Sequence, residues 1–321
     1  MKILLYNSGG GLGDCIQLID LITTLNNKFS NSNIWYLGAH QNHFENKLKD
    51  YNIKLNTLKL EIKYFGFRWK HLFFTKKKYH QIMSEKFDLV IDLQSKFRNT
   101  LILKKIPTKF FYSSTMNFTF CTKKLNFLKT KNNLNNLIKN LEKIVDSEIP
   151  LVGYNLKNIN KVYFEEALKL LPNSNYVGFS VTQGNEYRKK TWPIEKFINV
   201  AIQISKQNKQ PVFFIEKNNA ELINKIKNQV KEALFPESNS VLSGPALVTA
   251  LSARLSKAIS IDNGVMHMMG LANIPMIVLF GPTNSQKFAP KIDNINILDS
   301  KSLYNSNDIS KIKEEDILNL I

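Results

Sequence analysis

The sequence predicts an α/β protein built from two doubly wound halves, and three observations carry this prediction. Apolar runs rich in β-branched residues alternate with amphipathic helical patterns, which is typical of a parallel sheet with helices on both faces. The alternation stops and then starts again near residue 176. The length of 321 residues also suits two domains of roughly 150 residues each. We therefore expect one Rossmann-like domain over 1–155 and a second over 156–321.

The first half begins with a buried-type strand, followed by an amphipathic helix whose isoleucines recur near helical spacing. Later strands follow, one of them opened by Asp88 and closed by the polar pair Gln94 and Ser95. The predicted strands are 2–7, 34–38 and 89–93, and the predicted helix is 14–28. Residues 51–80 and 104–131 fit the alternation poorly.

The second half repeats the pattern after a segment, 145–175, in which Pro150, Gly153 and Pro172 interrupt the periodicity. Pro193 opens the first helix of this half, in a favoured first-turn position. The predicted strands are 176–180, 212–215, 258–261 and 276–280, and the predicted helices are 193–207, 219–233 and 265–272. This order of elements predicts a second parallel sheet.

Composition excludes several classes of protein. No run approaches the roughly 18 consecutive apolar residues that a membrane span requires. The 21 Phe, 11 Tyr and 3 Trp supply ample apolar surface for folding, which argues against disorder. The first apolar stretch is too short for a secretory signal, so we expect a cytoplasmic protein. Cys15 and Cys121 form no CxxC or Cys/His pattern, so neither a disulfide framework nor a zinc site is expected.

Positive charge is concentrated in the first half of the chain. Residues 1–150 hold 24 Lys and Arg against 11 Asp and Glu, a net charge of +13, whereas residues 151–321 hold 20 against 15, a net charge of +5. A field of this sign favours polyanions such as nucleic acid, anionic lipid head groups or a phosphorylated glycolipid. A biased, Asn- and Lys-rich composition also explains the total charge, but it does not explain why the first half is more positive than the second.

Residues 51–80 interleave cations with aromatic rings. This composition is typical of a segment that adsorbs to a membrane surface, where rings lie at the level of the head groups and cations meet phosphates. An ordinary core helix with solvated lysines is the alternative. The cations are Lys54, Lys59, Lys63, Arg68, Lys70, Lys76, Lys77 and Lys78, and the rings are Tyr64, Phe65, Phe67, Trp69, Phe73 and Phe74.

A glycine-rich loop, Ser8-Gly9-Gly10-Gly11-Leu12-Gly13-Asp14, follows the first strand. Glycines let the backbone turn tightly and approach a ligand. The loop is not a dinucleotide fingerprint, because Asp14 stands where the third glycine belongs, and no Gly-Lys-Ser/Thr closes it as in a P-loop. The dipole of the following helix favours the charged form of the Asp14 carboxylate, which suits a general base. A simple helix cap is the alternative.

Polar motifs also follow strands of the second half, at the strand ends where doubly wound sheets bind ligands, and we expect both halves to face a shared cleft there. The loop 182–193 contains three consecutive cations ending at Lys190, which suit phosphates but also describe an ordinary basic surface loop. Residues 262–267, Asp-Asn-Gly-Val-Met-His, join a strand to a helix start that favours an anion. His267 is predicted to face the ligand, with a satisfied buried histidine as the alternative.

A fourth motif, Phe280-Gly281-Pro282-Thr283-Asn284, again places a glycine turn and an N-cap before a helix. Two adjacent helix starts that favour anions predict a diphosphate ligand. The sequence contains no HExxH, no GxSxG elbow, no DxD pair placed to chelate a divalent cation and no zinc spacing. We therefore expect chemistry that does not depend on a metal ion.

Taken in order, these motifs resemble glycosyltransferase family 9, the bacterial ADP-heptose:lipopolysaccharide heptosyltransferases. The resemblance covers residues 1–45, 86–112 and 176–292, and its most specific segment runs from Asp262 to Thr283. There, Asp-Asn-Gly-x-x-His followed by Phe-Gly-Pro-Thr is similar to the family's Asp-Ser/Thr-Gly-x-x-His block and its Phe-Gly-Pro-Thr. Supporting matches are Gly13-Asp14, the strand that leads to Gln94, and Lys190-Thr191-Trp192-Pro193.

The resemblance implies a GT-B fold, two Rossmann-like lobes with an interdomain cleft, and an inverting, metal-independent transferase that needs no cofactor. Its first domain would bind the acceptor and its second a nucleotide sugar, with ADP-heptose as the expected donor. Asp14 would deprotonate the acceptor hydroxyl. The implied donor-binding residues are Thr182, Lys190, Asp262, Asn263, Gly264, His267 and Thr283, and the implied acceptor-binding residues are Gly11, Gly13, Gln94 and Arg98.

The partners that the resemblance implies match the charge of the first half. The acceptor would be a lipid-anchored anionic oligosaccharide, the lipopolysaccharide core, at the inner face of the inner membrane. An anionic membrane surface is then a further partner, and nucleic acid is not.

The chain departs from the family pattern in the expected donor pocket. Asn263 stands where Ser or Thr is usual, and the turn 216–219 replaces one that contains glycine. Two alternatives follow: a GT-B protein that uses another nucleotide sugar, or a non-catalytic one that binds a sugar nucleotide or a partner. A nucleic-acid-binding module built on residues 51–80 is a third, but it leaves the strand-end motifs unexplained.

Overall fold

The structure, a computed structural model, consists of two compact units, Met1–Asn155 and Leu156–Ile321. It describes residues 1–9, 11–30, 32–38, 42–60, 62, 66–130, 133–184 and 189–321. These residues form ten strands and fourteen α-helices, and each unit contains one sheet of five parallel strands. The predicted class, α/β with two Rossmann-like halves, is confirmed.

The first unit holds the strands β1 (Lys2–Asn7), β2 (Asn33–Gly38), β3 (Asn56–Thr57), β4 (Phe87–Asp92) and β5 (Thr108–Ser113). Its helices are α1 (Leu12–Ile16), α2 (Ile19–Lys28), α3 (His71–Ile82), α4 (Phe97–Leu103) and α5 (Leu134–Val145). The strand order is β3-β2-β1-β4-β5. The chain changes direction across the sheet between β1 and β4, so the loops after these two strands flank the switch point where such sheets bind ligands.

The second unit holds the strands β6 (Tyr176–Ser180), β7 (Gln210–Phe214), β8 (Leu255–Ile261), β9 (Met276–Phe280) and β10 (Ile295–Asp299). Its helices are α6 (Lys161–Leu170), α7 (Ile194–Lys206), α8 (Ala220–Gln229), α9 (Pro236–Asn239), α10 (Pro245–Ser252), α11 (Gly264–Leu271), α12 (Ser285–Phe288), α13 (Ser300–Tyr304) and α14 (Glu314–Leu318). The strand order is β10-β9-β8-β6-β7. The switch point of this sheet therefore lies between β8 and β6.

The central strands are buried on both faces, as expected for parallel strands covered by helices on both sides. Residues 3–5 of β1 and 89–91 of β4 are 0% exposed, and Ala258, Ile259 and Ile261 of β8 are equally buried. Each sheet is thus a rigid support whose strand ends fix the positions of the loops that follow.

Most predicted elements are present, but the helix predicted at 14–28 is wrong in one respect. It consists of two helices, α1 and α2. At the break, the N–H of Leu18 donates to the carbonyl of Cys15 at 3.0 Å, a tighter bond than the α-helical one to a residue four positions back. This turn separates Asp14 from the long apolar face of α2.

Two predicted helix ends of the second unit also differ. α7 begins one residue after Pro193, which is its N-cap residue. α8 ends at Gln229 because Val230 leaves the helical conformation, with φ −120° and ψ 88°. No helix within the described ranges is long and apolar enough to cross a membrane.

Candidate active site

In the first unit, one side-chain pair ties together the two loops that flank the switch point. Gln94, two residues after β4, donates its side-chain N–H to Oδ1 of Asn7, the last residue of β1. The same oxygen accepts the backbone N–H of Gly9 at 3.0 Å. Asn7 Nδ2 lies 3.5 Å from the carbonyl oxygen of Asp14. The glycine loop is therefore fixed beside Gln94, one of the residues expected to bind the acceptor.

The carboxylate of Asp14 folds back over this glycine loop. Its Oδ2 accepts the backbone N–H of Gly11 at 3.3 Å, so Asp14 caps its own helix from the first turn. A Cβ at Gly9 would lie 2.7 Å from the Asp14 carboxylate, and one at Gly11 would lie 3.2 Å from it. A side chain at position 9 would therefore displace the Asp14 carboxylate from its place over the loop. The sequence assigned these glycines to ligand approach, and their role toward Asp14 was not predicted.

The helix that carries Asp14 is short. α1 spans five residues, so few aligned peptide dipoles contribute at its start, and their field is weaker than that of a helix over 14–28. The cap function that the sequence left as an alternative is present. It does not exclude a base, because a carboxylate offers about four lone pairs and the Gly11 contact occupies one. Asp14 is half-buried, as is Gly13, whereas Gly11 is exposed.

Next to this loop, α4 buries polar atoms for which the described residues provide no hydrogen bond. These atoms are Nε of Arg98 and both side-chain polar atoms of Asn99, which is 0% exposed. A Cβ at Gly66, whose φ is +82°, would lie 2.8 Å from Asn99 Nδ2 and 2.9 Å from Cβ of Ser8. Buried polar groups rarely stay unpaired, so such a cluster indicates a water or ligand site. Arg98 was predicted from the sequence and Asn99 was not, although an Asn inside an apolar helical pattern is a usable signal.

In the second unit, an asparagine performs the same task across the other switch point. Asn263, two residues after β8, donates Nδ2 to Oγ of Ser180 at 2.6 Å and to the carbonyl of Thr182 at 2.8 Å. It thereby links β8 to the end of β6. Its Oδ1 accepts the N–H of Met266 at 2.8 Å and caps α11. A Ser or Thr hydroxyl could cap the helix but has one donor instead of two, so this departure from the family pattern adds a link.

Lys190 is held beside the start of α11. Its Nζ lies 2.5 Å from Oδ2 of Asp262 and 3.3 Å from the Asp262 carbonyl oxygen. Its backbone N–H donates to Oε1 of Gln183 at 2.8 Å. The two charged side chains are 15% and 6% exposed, so the ion pair is largely shielded from water. An ammonium group has three N–H donors, and Asp262 occupies two of them.

His267 is buried, with 7% of its surface exposed. Burial lowers its pKa from 6.5 to about 4, and the Lys190 ammonium adds to this shift while the Asp262 carboxylate opposes it. The imidazole is therefore neutral at pH 7. The structure buries the histidine close to the Lys190–Asp262 pair, and its predicted contact with a ligand stays a prediction.

The start of α11 offers backbone donors beside open space. Its first N–H groups cannot bond within the helix, and Asn263 takes only that of Met266. The N–H groups of Gly264 and Val265 have no partner in the part of the chain that is described. A Cβ at Gly264 would meet no heavy atom within 4 Å. This eight-residue helix therefore has the geometry that was predicted for anion binding.

The second helix start predicted for this region is present, but the helix that follows it is short. α12 has four residues, and its N-cap is Asn284. A single helical turn has a small dipole, so the two predicted anion-binding helix starts reduce to one. Thr283 contributes in another way, because its Oγ1 is buried without a hydrogen bond to any described residue.

Parts of three predicted motifs lie outside the described residues. Arg188 and residues 185–187 of the loop 182–193 are among them, as are Gly10 of the glycine loop and residues 63–65 of the basic aromatic stretch. Of the cations predicted at 188–190, Lys189 is exposed and Lys190 is the one that pairs with Asp262.

One acidic group of the second unit was not predicted. Burial raises the pKa of Glu237 to about 7; the Glu216 carboxylate adds to this shift and Lys217 opposes it. Lys217 also donates to the carbonyl of Ser240, so the turn that replaces the family's glycine-containing turn is tied to the segment before α10. Glu237 lies in the four-residue helix α9, which is too short to give a periodic signal in the sequence.

Comparison with known proteins gives a family and a set of related folds. The sequence model of glycosyltransferase family 9, described as heptosyltransferase, matches residues 76–318. A solved family 9 glycosyl transferase from Veillonella parvula is 20% identical with a TM-score of 0.70, over 99% of this chain and 95% of that one. E. coli heptosyltransferase WaaC with ADP is 14% identical with a TM-score of 0.67, over 100% and 97% of the two chains.

A third structure, E. coli ADP-heptose lps heptosyltransferase II, is 16% identical with a TM-score of 0.63, over 99% of this chain and 97% of that one. At these identities the likeness establishes the fold, which is GT-B, as expected. No curated protein matches the sequence significantly.

Proposed function

We propose that this chain transfers a sugar from an ADP-sugar to an anionic, lipid-anchored oligosaccharide, with Asp14 as the base. The chain belongs to glycosyltransferase family 9, the heptosyltransferase family. The family match spans residues 76–318 of 321, well over half of the sequence. The chain is therefore a glycosyltransferase.

The donor is a nucleotide-diphosphate sugar bound by the second unit, with ADP-heptose as the specific candidate. The observation that carries this proposal is the Lys190–Asp262 pair beside the open start of α11. A diphosphate would accept the third N–H of Lys190 and the backbone N–H groups of Gly264 and Val265. The related WaaC has been solved with ADP and with ADP-2-deoxy-2-fluoro heptose, which supports adenine as the base.

Further residues of the second unit complete this donor site. Thr283 Oγ1 is a buried donor in need of a partner, and Asn263 holds the loop of Thr182 against α11. His267 is neutral and buried, so its role is to support the Lys190–Asp262 pair and not to carry charge.

The first unit supplies the base. In an inverting transfer, the acceptor hydroxyl oxygen attacks the anomeric carbon while the bond from that carbon to the diphosphate breaks. The hydroxyl proton passes to the free lone pairs of Asp14, and the nucleoside diphosphate leaves with the electron pair of the broken bond. The charge that develops on the leaving group is stabilised by Lys190 and by the N–H groups of α11.

The acceptor is an anionic, lipid-anchored oligosaccharide such as a lipopolysaccharide core. The net charge of +13 over residues 1–150 supports an anionic partner. Arg98 offers a buried donor that no described residue satisfies, and Gln94, Gly11 and Gly13 lie at or near the same glycine loop. A lipid-anchored acceptor would place the protein at the inner face of the inner membrane.

The proposed reaction needs neither a metal ion nor a cofactor, since Lys190 and the start of α11 provide the positive charge that a metal would supply. No group of three His, Cys, Asp or Glu side chains suited to a metal occurs within the described ranges. Turnover should be unchanged after treatment with EDTA, and a loss that magnesium restores would contradict this part of the proposal.

A thermal-shift screen of ADP-, UDP-, GDP- and CDP-sugars tests the donor, because a ligand that binds only the folded protein raises its melting temperature. An ADP-sugar is expected to give the largest shift, and a larger shift with another nucleotide would replace it. Release of the nucleoside diphosphate in the presence of extracted acceptor then separates a transferase from a protein that binds the sugar nucleotide without turnover. The latter alternative stems from Asn263 and the turn 216–219.

A further inference from the structure

Helix α3 carries large apolar side chains on both of its sides. Tyr79 is 0% exposed and Thr75 is 3% exposed. Leu72 packs against the apolar core cluster of the first unit, to which Tyr79 belongs. On the opposite side, Phe73 is 79% exposed and Phe74 is 54% exposed. A helix on the surface of a globular domain normally turns polar residues to solvent. Two adjacent exposed rings therefore indicate a partner that covers them.

The exposed rings share their side of the helix with lysines. Lys70 lies three residues before Phe73 and four before Phe74, and Lys77 follows these rings at the same two spacings, so the four side chains form one face. We call Lys70, Phe73, Phe74 and Lys77 the outer face of α3. All four are exposed. Trp69, which precedes the helix, adds a third ring that is 52% exposed.

Within the described residues, exposed aromatic rings are most concentrated in the segment around α3. Among the described residues, the exposed Phe and Trp side chains are at positions 69, 73, 74 and 97, whereas the large apolar side chains exposed in the second unit are Val, Leu and Ile. Residues 62–84 contain six Lys and Arg and no Asp or Glu. Unbalanced positive charge and apolar exposure therefore coincide at α3.

The composition of the outer face distinguishes between partners. The cores of protein interfaces are depleted in lysine, so a protein partner would leave Lys70 and Lys77 unfavourably placed among the rings. Helices that lie in the surface of an anionic bilayer combine Lys with Phe and Trp, because the rings enter the boundary of the acyl chains while the ammonium groups stay with the phosphates. The exposed Ile82 at the end of α3 adds apolar area that stacking on nucleic-acid bases would not use.

We propose that the outer face of α3, together with Trp69, docks onto an anionic lipid bilayer. The choice of lipid over nucleic acid rests in part on the proposed lipid-anchored acceptor. The two proposals can fail separately, because vesicle binding is measured without any donor and ADP binding is measured without vesicles.

The apolar part of the surface is tested with the full chain and vesicles of equal parts phosphatidylglycerol and phosphatidylcholine. The double variant Phe73→Ser/Phe74→Ser is expected to weaken co-sedimentation by roughly tenfold or more, since two rings lose their apolar burial. The matched control is Val241→Ser/Leu303→Ser, which changes two exposed apolar residues of the second unit, 93% and 48% exposed. The control should bind vesicles like the wild type, and both variants should bind ADP like the wild type.

The charged part is tested by salt and by neutralising lysines. Lys70→Gln/Lys77→Gln should weaken binding by roughly 10- to 30-fold at low salt. Lys227→Gln/Lys231→Gln, a change of two exposed lysines in the second unit, should have little effect. Added salt should weaken wild-type binding, because exposed charges are screened.

Trp69 reports the docking directly. Trp192 is 2% exposed and Trp35 is half-buried, so a blue shift of tryptophan emission on adding vesicles should disappear in Trp69→Phe. Equal binding to pure phosphatidylcholine, or full vesicle binding by Phe73→Ser/Phe74→Ser, would overturn the proposal. So would binding of random oligonucleotides in place of vesicles, or self-association of the protein that Phe73→Ser/Phe74→Ser abolishes.

Discussion

The two switch points of the molecule are built alike but charged differently. In each unit, a side-chain amide two residues after one strand bonds to the last residue of its neighbour: Gln94 to Asn7 in the first unit and Asn263 to Ser180 in the second. The first junction then presents the carboxylate of Asp14, whereas the second presents Lys190 and the N–H groups of α11. The same scaffold thus holds an acid in one half and a cation in the other.

This difference in charge matches the two demands of glycosyl transfer. Removing a proton from an alcohol needs a base, which a carboxylate can provide, and positive charge stabilises a departing diphosphate. We propose this division of labour: Asp14 of the first unit takes the proton, and Lys190 with the start of α11 in the second unit stabilises the leaving group.

The largest expected effect is on turnover when Asp14 is changed. Asp14→Asn should lower kcat by roughly 100- to 10,000-fold, because the amide cannot accept the proton. The amide oxygen can still accept the N–H of Gly11, so folding should be preserved. Nucleoside diphosphate release at saturating donor and acceptor measures the loss.

Asp20→Asn is the matched control for this change. Asp20 lies in the same unit, and its carboxylate accepts the backbone N–H of Tyr154 at 2.8 Å. It should turn over at the wild-type rate. A rate for Asp14→Asn that is indistinguishable from that of this control would show that Asp14 is not the base.

The second effect concerns pH and the buried His267. Its folded pKa of about 4 lies below its unfolded value of 6.5, so the unfolded state binds more protons between these values. The free energy of unfolding is therefore fully maintained above pH 6.5 and falls by about 3 kcal/mol as the pH drops to 4. Urea denaturation at several pH values measures this loss. In His267→Gln, the unfolding free energy should depend less steeply on pH between 4 and 6.5. An unchanged pH dependence in that variant would show that His267 does not cause the loss of stability.

The third effect is on the donor. Removing Lys190 alone would leave Asp262 charged and buried, so the double variant Lys190→Gln/Asp262→Asn is used to keep the site neutral. It should raise the dissociation constant of ADP by roughly tenfold or more, because one charge-assisted hydrogen bond to phosphate is lost. Calorimetric titration checks this, and wild-type affinity would remove Lys190 from the donor site.

The smallest effects are on stability, when the hydrogen-bonding side-chain amides of Asn263 and Gln94 are removed. Asn263→Ala removes a helix cap and two donated bonds and should cost about 2 kcal/mol of unfolding free energy, whereas Gln94→Ala removes one bond and should cost about 1 kcal/mol. Asn263→Ser keeps the cap and should fall between Asn263→Ala and the wild type. A larger loss of unfolding free energy in Gln94→Ala than in Asn263→Ala would show that the number of bonds each amide makes does not set its contribution to stability.

The sequence predicted the architecture well because the strands are apolar runs with clear boundaries. Strands 2–7, 176–180 and 276–280 agree with the structure to the residue. The break at Leu18 was missed, since the apolar spacing continues through it and only a local hydrogen bond marks the turn. The shortness of α12 was missed for a related reason: an N-cap signal announces a helix start but not its length.

The candidate site was predicted in part. Asp14 and Asn263 were singled out because each follows a strand, at the edge where doubly wound sheets bind ligands, and their roles toward a ligand stay predictions. Pairings across the chain were not predicted, because no local pattern connects Gln94 with Asn7 or Lys190 with Asp262. The burial of His267 also depends on packing that a single sequence does not reveal.

The division of labour is tested most directly by measuring ADP affinity in the wild type, in Asp14→Asn and in Lys190→Gln/Asp262→Asn under the same conditions. We predict that Asp14→Asn, although nearly inactive, binds ADP as tightly as the wild type, while the double variant binds it roughly tenfold more weakly or worse. Loss of ADP binding in Asp14→Asn together with normal binding in the double variant would contradict the account.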